Sequence, residues 1–401
     1  MAREVVIVDA VRTPIGRYKG QFKNVRPDDL GAIVIKALLD RNPELNPKLI
    51  DDVILGNANG AGEDNRNVGR MSLLLAGLPQ EVSGTTVNRL CGSSLDAVSM
   101  GARSILSGEC DVIIAGGTES MTRAPFVMGK PEHEFPRGDM GLHDTTMGWR
   151  FINPKLHEMY GTESMPQTAE NVAEKFNISR EEQDAFAYRS QQLTHKAIET
   201  NRFEDEIIPV TLKDRKGNEI IIDKDEHPRP TTTVEKLGSL RPLFENGTIT
   251  AGNASGINDG ASGVILMSAD LAEKLNLKPL VKFVGSATAG TEPSLMGLGP
   301  IYSTNKVMNR YGLTSEDFDL VEINEAFASQ SIECVRQLEL DIDKVNVNGG
   351  AIALGHPLGA SGTRILTTLI YEMKKRDAKL GLASMCIGVG QGISVVVENV
   401  N

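Results

Sequence analysis

Cysteine is scarce in this chain: Cys91, Cys110, Cys334 and Cys386 are the whole complement of four. They form no CxxC pair and no zinc-ligand spacing, which speaks against a disulfide scaffold or a zinc site and predicts reduced thiols in a cytosol. Long apolar runs are missing too, since no stretch approaches the ~20 consecutive apolar residues of a membrane span. The opening "MAREVVIVDAVRTP" enters an apolar strand without a signal-peptide layout. The closing "ENVN" carries no peroxisomal or endoplasmic-reticulum address, so the expected compartment is the cytoplasm. Excess positive charge is also lacking: 42 Lys and Arg against 53 Asp and Glu give a formal net charge of −11. That balance argues against broad nucleic-acid binding and against docking on anionic membranes. It leaves room for an anionic small molecule, which needs only local donors.

What is present reads as an ordinary globular protein. The 401 residues, 40% hydrophobic and 24% charged, suffice for two or three domains with buried cores. Short apolar runs ("EVVIVDAV", "DDVILGNAN", "CDVIIAGG") alternate with helical patterns ("LGAIVIKALLDR", "LDAVSMGARSIL"), which predicts a parallel or mixed α/β sheet covered on both faces. The same order returns in "VKFVGSATA", "FDLVEINEAF", "ASGTRILTTLIYEMKKR" and "LGLASMCIGVGQG". Cys91 to Gly117 spans 26 positions (117 − 91), as does Ala360 to Cys386 (386 − 360). In both units a loop of small residues opens a helix that leads to an apolar strand, so the chain is expected to hold a duplicated α/β half. Residues 121–250 break the pattern with Met-, Pro-, His- and charge-rich irregular segments, around one helix whose start, Ser179 to Glu182, has the form of a capping box. A loop-rich insertion of this kind is a natural place for substrate binding. The expected limits are 1–120 and 251–278 for the first half, 121–250 for the insertion and 279–401 for the second half.

Four stretches carry polar groups that packing would not ask for. In "TTVNRLCGSSLDAVSMGARSIL", Leu95, Val98, Ala102 and Ile105 recur at helical spacing, so Cys91 falls near a helix N-terminus. Free N–H groups and the helix dipole favour an anion there, which predicts a lowered thiol pKa and a reactive thiolate. Gly92, Ser93 and Ser94 are expected to leave room for approach to the sulfur. The opposing view is that a free cysteine is a small buried hydrophobe, and position alone leaves both open. In "VNGGAIALGHPLGASG", His356 stands among glycines that suit close backbone approach, and histidine is the side chain best matched to proton transfer near neutral pH. The other histidines, His133, His143, His157, His195 and His227, have charged or polar neighbours and are expected at the surface or in loops. Cys386 ends a strand in "LASMCIGVGQG", where a thiol can exchange a proton with a carbon centre or merely fill space. Asn324 and Glu325 sit at a strand-to-helix junction, where an asparagine is most often an N-cap. "GVGQG" lacks the GxGxxG spacing and the following helix of a dinucleotide site. Cys110 and Cys334 lie within apolar patterns and are assigned to packing.

With these residues in hand, the chain resembles the thiolase family of acetyl-CoA acyltransferases. The resemblance runs nearly end to end through "VDAVRTPIGRYKG", "NRLCGSSLDAV", "AGGTESM", "TAGNASGINDGAS", "NEAFA", "NGGAIALGHPLGASG" and "CIGVGQG". It implies two similar α/β halves with an inserted loop domain, assembled as a homotetramer of tight dimers. It implies a ping-pong acyltransferase in which Cys91 is the nucleophile, His356 its base and Cys386 the acid at the departing carbon. The N–H groups of Cys91 and Gly388 would hold one oxyanion, and His356 with a water on Asn324 the other. Coenzyme A would be a co-substrate, with no bound cofactor and no metal. Leu156, Arg229 and Ser255 would contact coenzyme A, and Met165, Met296 and Phe327 the acyl side. Short-chain biosynthetic members carry a His–Met pair before "TAEN", where this chain has Ser164 and Met165. Segments such as "GWRFINP" and "DEHPRP" look most like thiolases that cleave 3-oxoadipyl-CoA. Arg150 is then one candidate partner for that substrate's terminal carboxylate, since a buried anion needs one. The alternatives are a general 3-ketoacyl-CoA thiolase of fatty-acid oxidation, an acetoacetyl-CoA thiolase, a ketoacyl synthase, or a non-catalytic lipid-carrying or structural relative. The last would have no need to keep Cys91, His356 and Cys386 together.

Overall fold

The computed structural model describes residues 3–214 and 216–400. Residues 1, 2, 215 and 401, which include the outermost ends of the expected halves, lie outside the described residues. In chain order the main elements are β1 (Val5–Arg12), α1 (Pro27–Arg41), β2 (Asp52–Gly56), α2 (Val68–Leu75), β3 (Ser83–Val87), α3 (Ser93–Ser107), β4 (Val112–Ser120), α4 (Met165–Lys175), α5 (Arg180–Glu199) and β5 (Asn258–Ser268). They continue as β6 (Val281–Gly290), α6 (Gly299–Tyr311), β7 (Leu320–Ile323), α7 (Ala328–Gln337), α8 (Ser361–Arg376), β8 (Leu380–Ile387) and β9 (Gln391–Asn399).

The strands form one mixed sheet in the order β3-β2-β4-β5-β1-β6-β9-β8-β7. The order is nearly palindromic. In the first half β1 pairs antiparallel with β5, β5 antiparallel with β4, and β4 parallel with β2. In the second, β6 pairs antiparallel with β9, β9 antiparallel with β8, and β8 parallel with β7. The halves join edge to edge at Val6–Lys282 and Ile7–Val281. The repeated spacing in the sequence thus corresponds to matching units, α3–β4 and α8–β8.

Side-chain alternation explains the layering. Successive strand residues point to opposite faces, so Val5 and Ile7 of β1 join one core while Val6 and Val8 join another. The same split runs through β4, where Ile113 and Ala115 face the first core and Val112 and Ile114 the second. In β9, Val395 and Val397 share the first core, while Val396 faces a third. The first core holds Leu95 and Val98 of α3 and Ile365 and Leu369 of α8. These two helices therefore lie between the halves, with α1 and α2 covering one outer face and α6 and α7 the other. Every residue of α8 from Ser361 to Met373 is buried, including the polar Thr363, Arg364, Thr367, Thr368 and Glu372.

Small residues let the central layer close. A Cβ at Gly362 would overlap the backbone of Leu95, and one at Gly117 would overlap the carbonyl of Gly359. The N-termini of α3 and α8 are stitched where they meet, with Thr363 N donating to Ser94 Oγ at 3.0 Å. Between β4 and β5 the chain forms α4, α5, a short helix at Pro154–Tyr160 and two small hairpins. The capping box at α5 forms as expected: Glu182 N donates to Ser179 Oγ at 3.2 Å and Ser179 N to Glu182 Oε2 at 3.0 Å. Among the described residues no helix is long and apolar enough to cross a membrane.

Candidate active site

Cys91 stands two residues ahead of α3, whose N-cap is Gly92. The turn that presents it is tight, with Leu90 in the left-handed region (φ 47°). Ser93 Oγ donates to Leu90 O at 2.6 Å and accepts from Arg89 N at 2.9 Å. Gly92 packs on Ile387, where a Cβ would come within 2.6 Å of its side chain. The expectation that Gly92, Ser93 and Ser94 leave a path to the sulfur is therefore corrected. Both serines are fully buried, and all three residues lock the turn while the path opens on the other side.

His356 is held by three contacts that fix its protonation pattern. Its backbone N donates to Asn258 Oδ1 at 2.9 Å. The preceding Gly355 (φ 105°) lies against the Asn258 side chain so closely that no Cβ fits. Ser361 Oγ donates to Pro357 O at 3.0 Å, so toward His356 it is free to accept, and Nδ1 lies 2.6 Å from it. That places the ring proton on Nδ1 and leaves the Nε2 lone pair available, with Asn324 Nδ2 donating to it at 3.4 Å. Burial, and then the positive charge of Arg364, pushes His356 down to about 3, so the imidazole rests neutral. Ser361→Ala is expected to lower turnover about tenfold or more by releasing the tautomer, with substrate affinity little changed; steady-state kinetics measures this.

The N-cap alternative for Asn324 does not hold: α7 begins at Ala328, with Phe327 at the N-cap position. Asn324 N donates to Ser384 O at 3.0 Å, and its Oδ1 is buried with no partner among the described residues. Glu325 turns away, accepting from Ser190 Oγ, Asn346 Nδ2 and Ile352 N. Cys386 is 1% exposed and precedes a turn with Val389 (φ 63°) and Gly390 (φ 79°). Cys334 is buried and donates to Gly297 O, while Cys110 is half-buried.

The expected lowering of the Cys91 thiol is also corrected. The N–H groups of Gly388 and of Cys91 itself are directed at the sulfur and favour its anion, yet burial outweighs them and pushes the thiol up to about 11. Burial and the neighbouring Cys91 hold Cys386 well above the usual thiol range. The resting trio is therefore two thiols and a neutral imidazole.

Cys91, His356 and Cys386 line one cavity of about 470 Å³. Met165, Met296, Phe327, Ser255 and Arg229 line it too, as do Arg17 and His227. His227 lies in a loop, as expected, but is half-buried, accepts from Asn258 Nδ2 at 3.3 Å, and is pushed down to about 4 by burial. Its neighbours are charged in sequence, but Asp225 turns to Arg12 and Glu226 to Arg17. Leu156, on the Pro154–Tyr160 helix, is half-buried and is not brought to the cavity wall with the others. Arg150 is likewise off the wall, donating to Asn59 Oδ1 at 3.1 Å. The residues missed in the sequence are Ser361, Asn258 and His227. A serine five positions after His356 was the one local signal. Among the described residues no group of three His, Cys, Asp or Glu is placed to hold a metal ion.

Comparison with known proteins matches residues 5–270 to the thiolase N-terminal domain and residues 277–399 to the thiolase C-terminal domain. A beta-ketoadipyl-CoA thiolase of Acinetobacter baylyi is 57% identical over 401 residues, covering 99% of this chain and 100% of the relative. A 3-oxoadipyl-CoA/3-oxo-5,6-dehydrosuberyl-CoA thiolase of Escherichia coli is 56% identical with the same coverage. Human mitochondrial 3-ketoacyl-CoA thiolase superposes with a TM-score of 0.92 at 41% identity, covering 100% of both chains.

Proposed function

The chain belongs to the thiolase family, and we propose that it cleaves 3-oxoadipyl-CoA with free coenzyme A to acetyl-CoA and the acyl-CoA two carbons shorter. The observation that carries this is that Cys91, His356 and Cys386 line one cavity, with the ring proton of His356 on Nδ1 and its Nε2 lone pair met only by Asn324 Nδ2 at 3.4 Å among the described residues. The substrate follows the full-length relatives, whose names specify it.

His356 takes the proton of Cys91 on Nε2, and the thiolate attacks the C3 carbonyl. Covalent capture divides a difficult carbon–carbon cleavage into two easier steps. The C2–C3 bond breaks, its electron pair forms the enolate of acetyl-CoA, and Cys386 gives that carbon a proton. The proton held by His356 passes to the Cys386 thiolate and restores both groups. Coenzyme A then gives its thiol proton to His356 and attacks the acyl group on Cys91, whose sulfur leaves and takes that proton back as the shortened acyl-CoA departs. The N–H groups of Cys91 and Gly388 hold the oxygen of the acylated carbon, and His356 with a water on Asn324 holds the enolate oxygen. Donors of this kind contribute about 3 kcal/mol each. Arg229, Ser255 and Leu156 contact coenzyme A, while Met165, Met296 and Phe327 bound the acyl side. No resident cofactor takes part. The working assembly is a homotetramer in the cytoplasm.

The test compares kcat/KM for 3-oxoadipyl-CoA, acetoacetyl-CoA and a medium-chain 3-oxoacyl-CoA. A large preference for the first is expected, and equal rates on all three would make the enzyme a general 3-oxoacyl-CoA thiolase. The cations on the cavity wall are Arg17 and Arg229. Arg150→Ala is accordingly expected to leave the ratio of 3-oxoadipyl-CoA to 3-oxohexanoyl-CoA cleavage within about twofold of the parent.

A further inference from the structure

Glu119, the penultimate residue of β4, is a buried carboxylate with no cationic partner among the described residues. It is 1% exposed, and every hydrogen bond it accepts comes from an uncharged N–H. Its Oε2 accepts from Ala58 N and Gly359 N, each at 2.8 Å. Its Oε1 accepts from Asn59 N at 3.3 Å and Asn57 Nδ2 at 3.4 Å. Ala58 and Asn59 belong to the first half, in the loop after β2. Gly359 belongs to the second, three residues after His356. One carboxylate therefore ties the His356 loop to the half that carries Cys91. The fit around it is close: a Cβ on Gly359 would come within 2.7 Å of both Asn57 Cα and Glu119 Oε2.

The ionisable group facing this carboxylate is Asp64, which shares Asn57 Nδ2 with it at 3.2 Å. Glu119 is not on the cavity wall, so it touches no substrate.

We propose that Glu119 is a positioning residue for thiolysis: its carboxylate clamps the His356 loop against the half that carries Cys91. This rests on the thiolase reading of the same site. Burial pushes Glu119 up to about 7, so the carboxylate is ionised in mildly alkaline solution and protonated below neutrality.

Two substitutions test the clamp. Glu119→Gln leaves one acceptor oxygen for two pairs of N–H groups. Glu119→Asp keeps both oxygens and withdraws them by one methylene. Both are expected to lose about tenfold to a hundredfold in kcat on whichever 3-oxoacyl-CoA the parent prefers, with KM for coenzyme A within about twofold. A parent-like kcat in Glu119→Asp overturns the clamp, and so does a KM that rises in step with the loss of kcat. Should the glutamine variant fail to fold, the aspartate variant decides alone. The comparison is made on the substrate the parent prefers, so failure of the 3-oxoadipyl-CoA assignment leaves its result untouched.

Discussion

Cys91→Ala is expected to lower kcat for thiolysis by about four orders of magnitude or more, to background. The substitution removes one sulfur from a turn held by other atoms, Ser93 Oγ on Leu90 O and Gly92 N on Arg89 O, so melting temperature should be unchanged. No neighbour can substitute. Ser93 and Ser94 point inward to fixed partners, and Cys386 is buried with its thiol held well above the usual range. His356→Asn should lose almost as much, because Nε2 of His356 is the lone pair that Ser361 orients for the cavity. The double variant should be no worse than Cys91→Ala alone, since groups that act as a unit are not additive. Stopped-assay kinetics on the three proteins, with thermal melts as the folding control, measures the prediction. An alanine variant that retained a hundredth of parent activity would remove Cys91 from the reaction.

The second large effect separates the two half-reactions. Cys386→Ala is expected to slow carbon–carbon cleavage about a thousandfold while leaving acylation of Cys91 by an acyl-CoA, and its return to coenzyme A, within a few-fold of the parent. The reasoning is chemical. A thiol held above the usual range by burial is a proton donor at neutral pH, and only the cleavage step creates a carbanion in need of a proton. Exchange of labelled coenzyme A into acetyl-CoA reads acylation by itself. Equal loss of exchange and cleavage would show that Cys386 serves the shape of the cavity rather than proton transfer.

Much of the fold was legible because strand alternation and helix periodicity are local. "VVIVDAVR" announces a strand buried on both faces, and its residues do divide between two cores. The repeated spacing from Cys91 to Gly117 and from Ala360 to Cys386 announced the duplicated half before any contact was known. Where the structure departs from the local pattern, neighbours in sequence are not neighbours in space. His227 looked solvated because aspartate and glutamate precede it, yet those carboxylates turn to Arg12 and Arg17 and leave the ring on the cavity wall. The helix N-terminus behind Cys91 promised a thiolate, but depth of burial is a tertiary quantity and prevails there. The N-cap alternative for Asn324 stayed open in the sequence because the start of α7 cannot be fixed to within three residues from pattern alone. Ser361 and Glu119 act through partners on other segments, so no local pattern could have marked them.

The pairing of β1 bears on how such a chain reaches its native state. Its two partners, β5 (Asn258–Ser268) and β6 (Val281–Gly290), both lie far along the chain. Loop-closure entropy must be met before pairing at such separation yields any stabilisation. During synthesis the apolar "VVIVDAVR" strand leaves the ribosome early and waits for roughly two thirds of the polypeptide to follow. At about 5–20 residues per second that interval lasts on the order of ten seconds or more. Strands with unpaired edges are the segments most prone to wrong association. Yield in a cell should therefore depend on chaperone capacity and on translation speed through residues 13–257 more than on the stability of the finished protein.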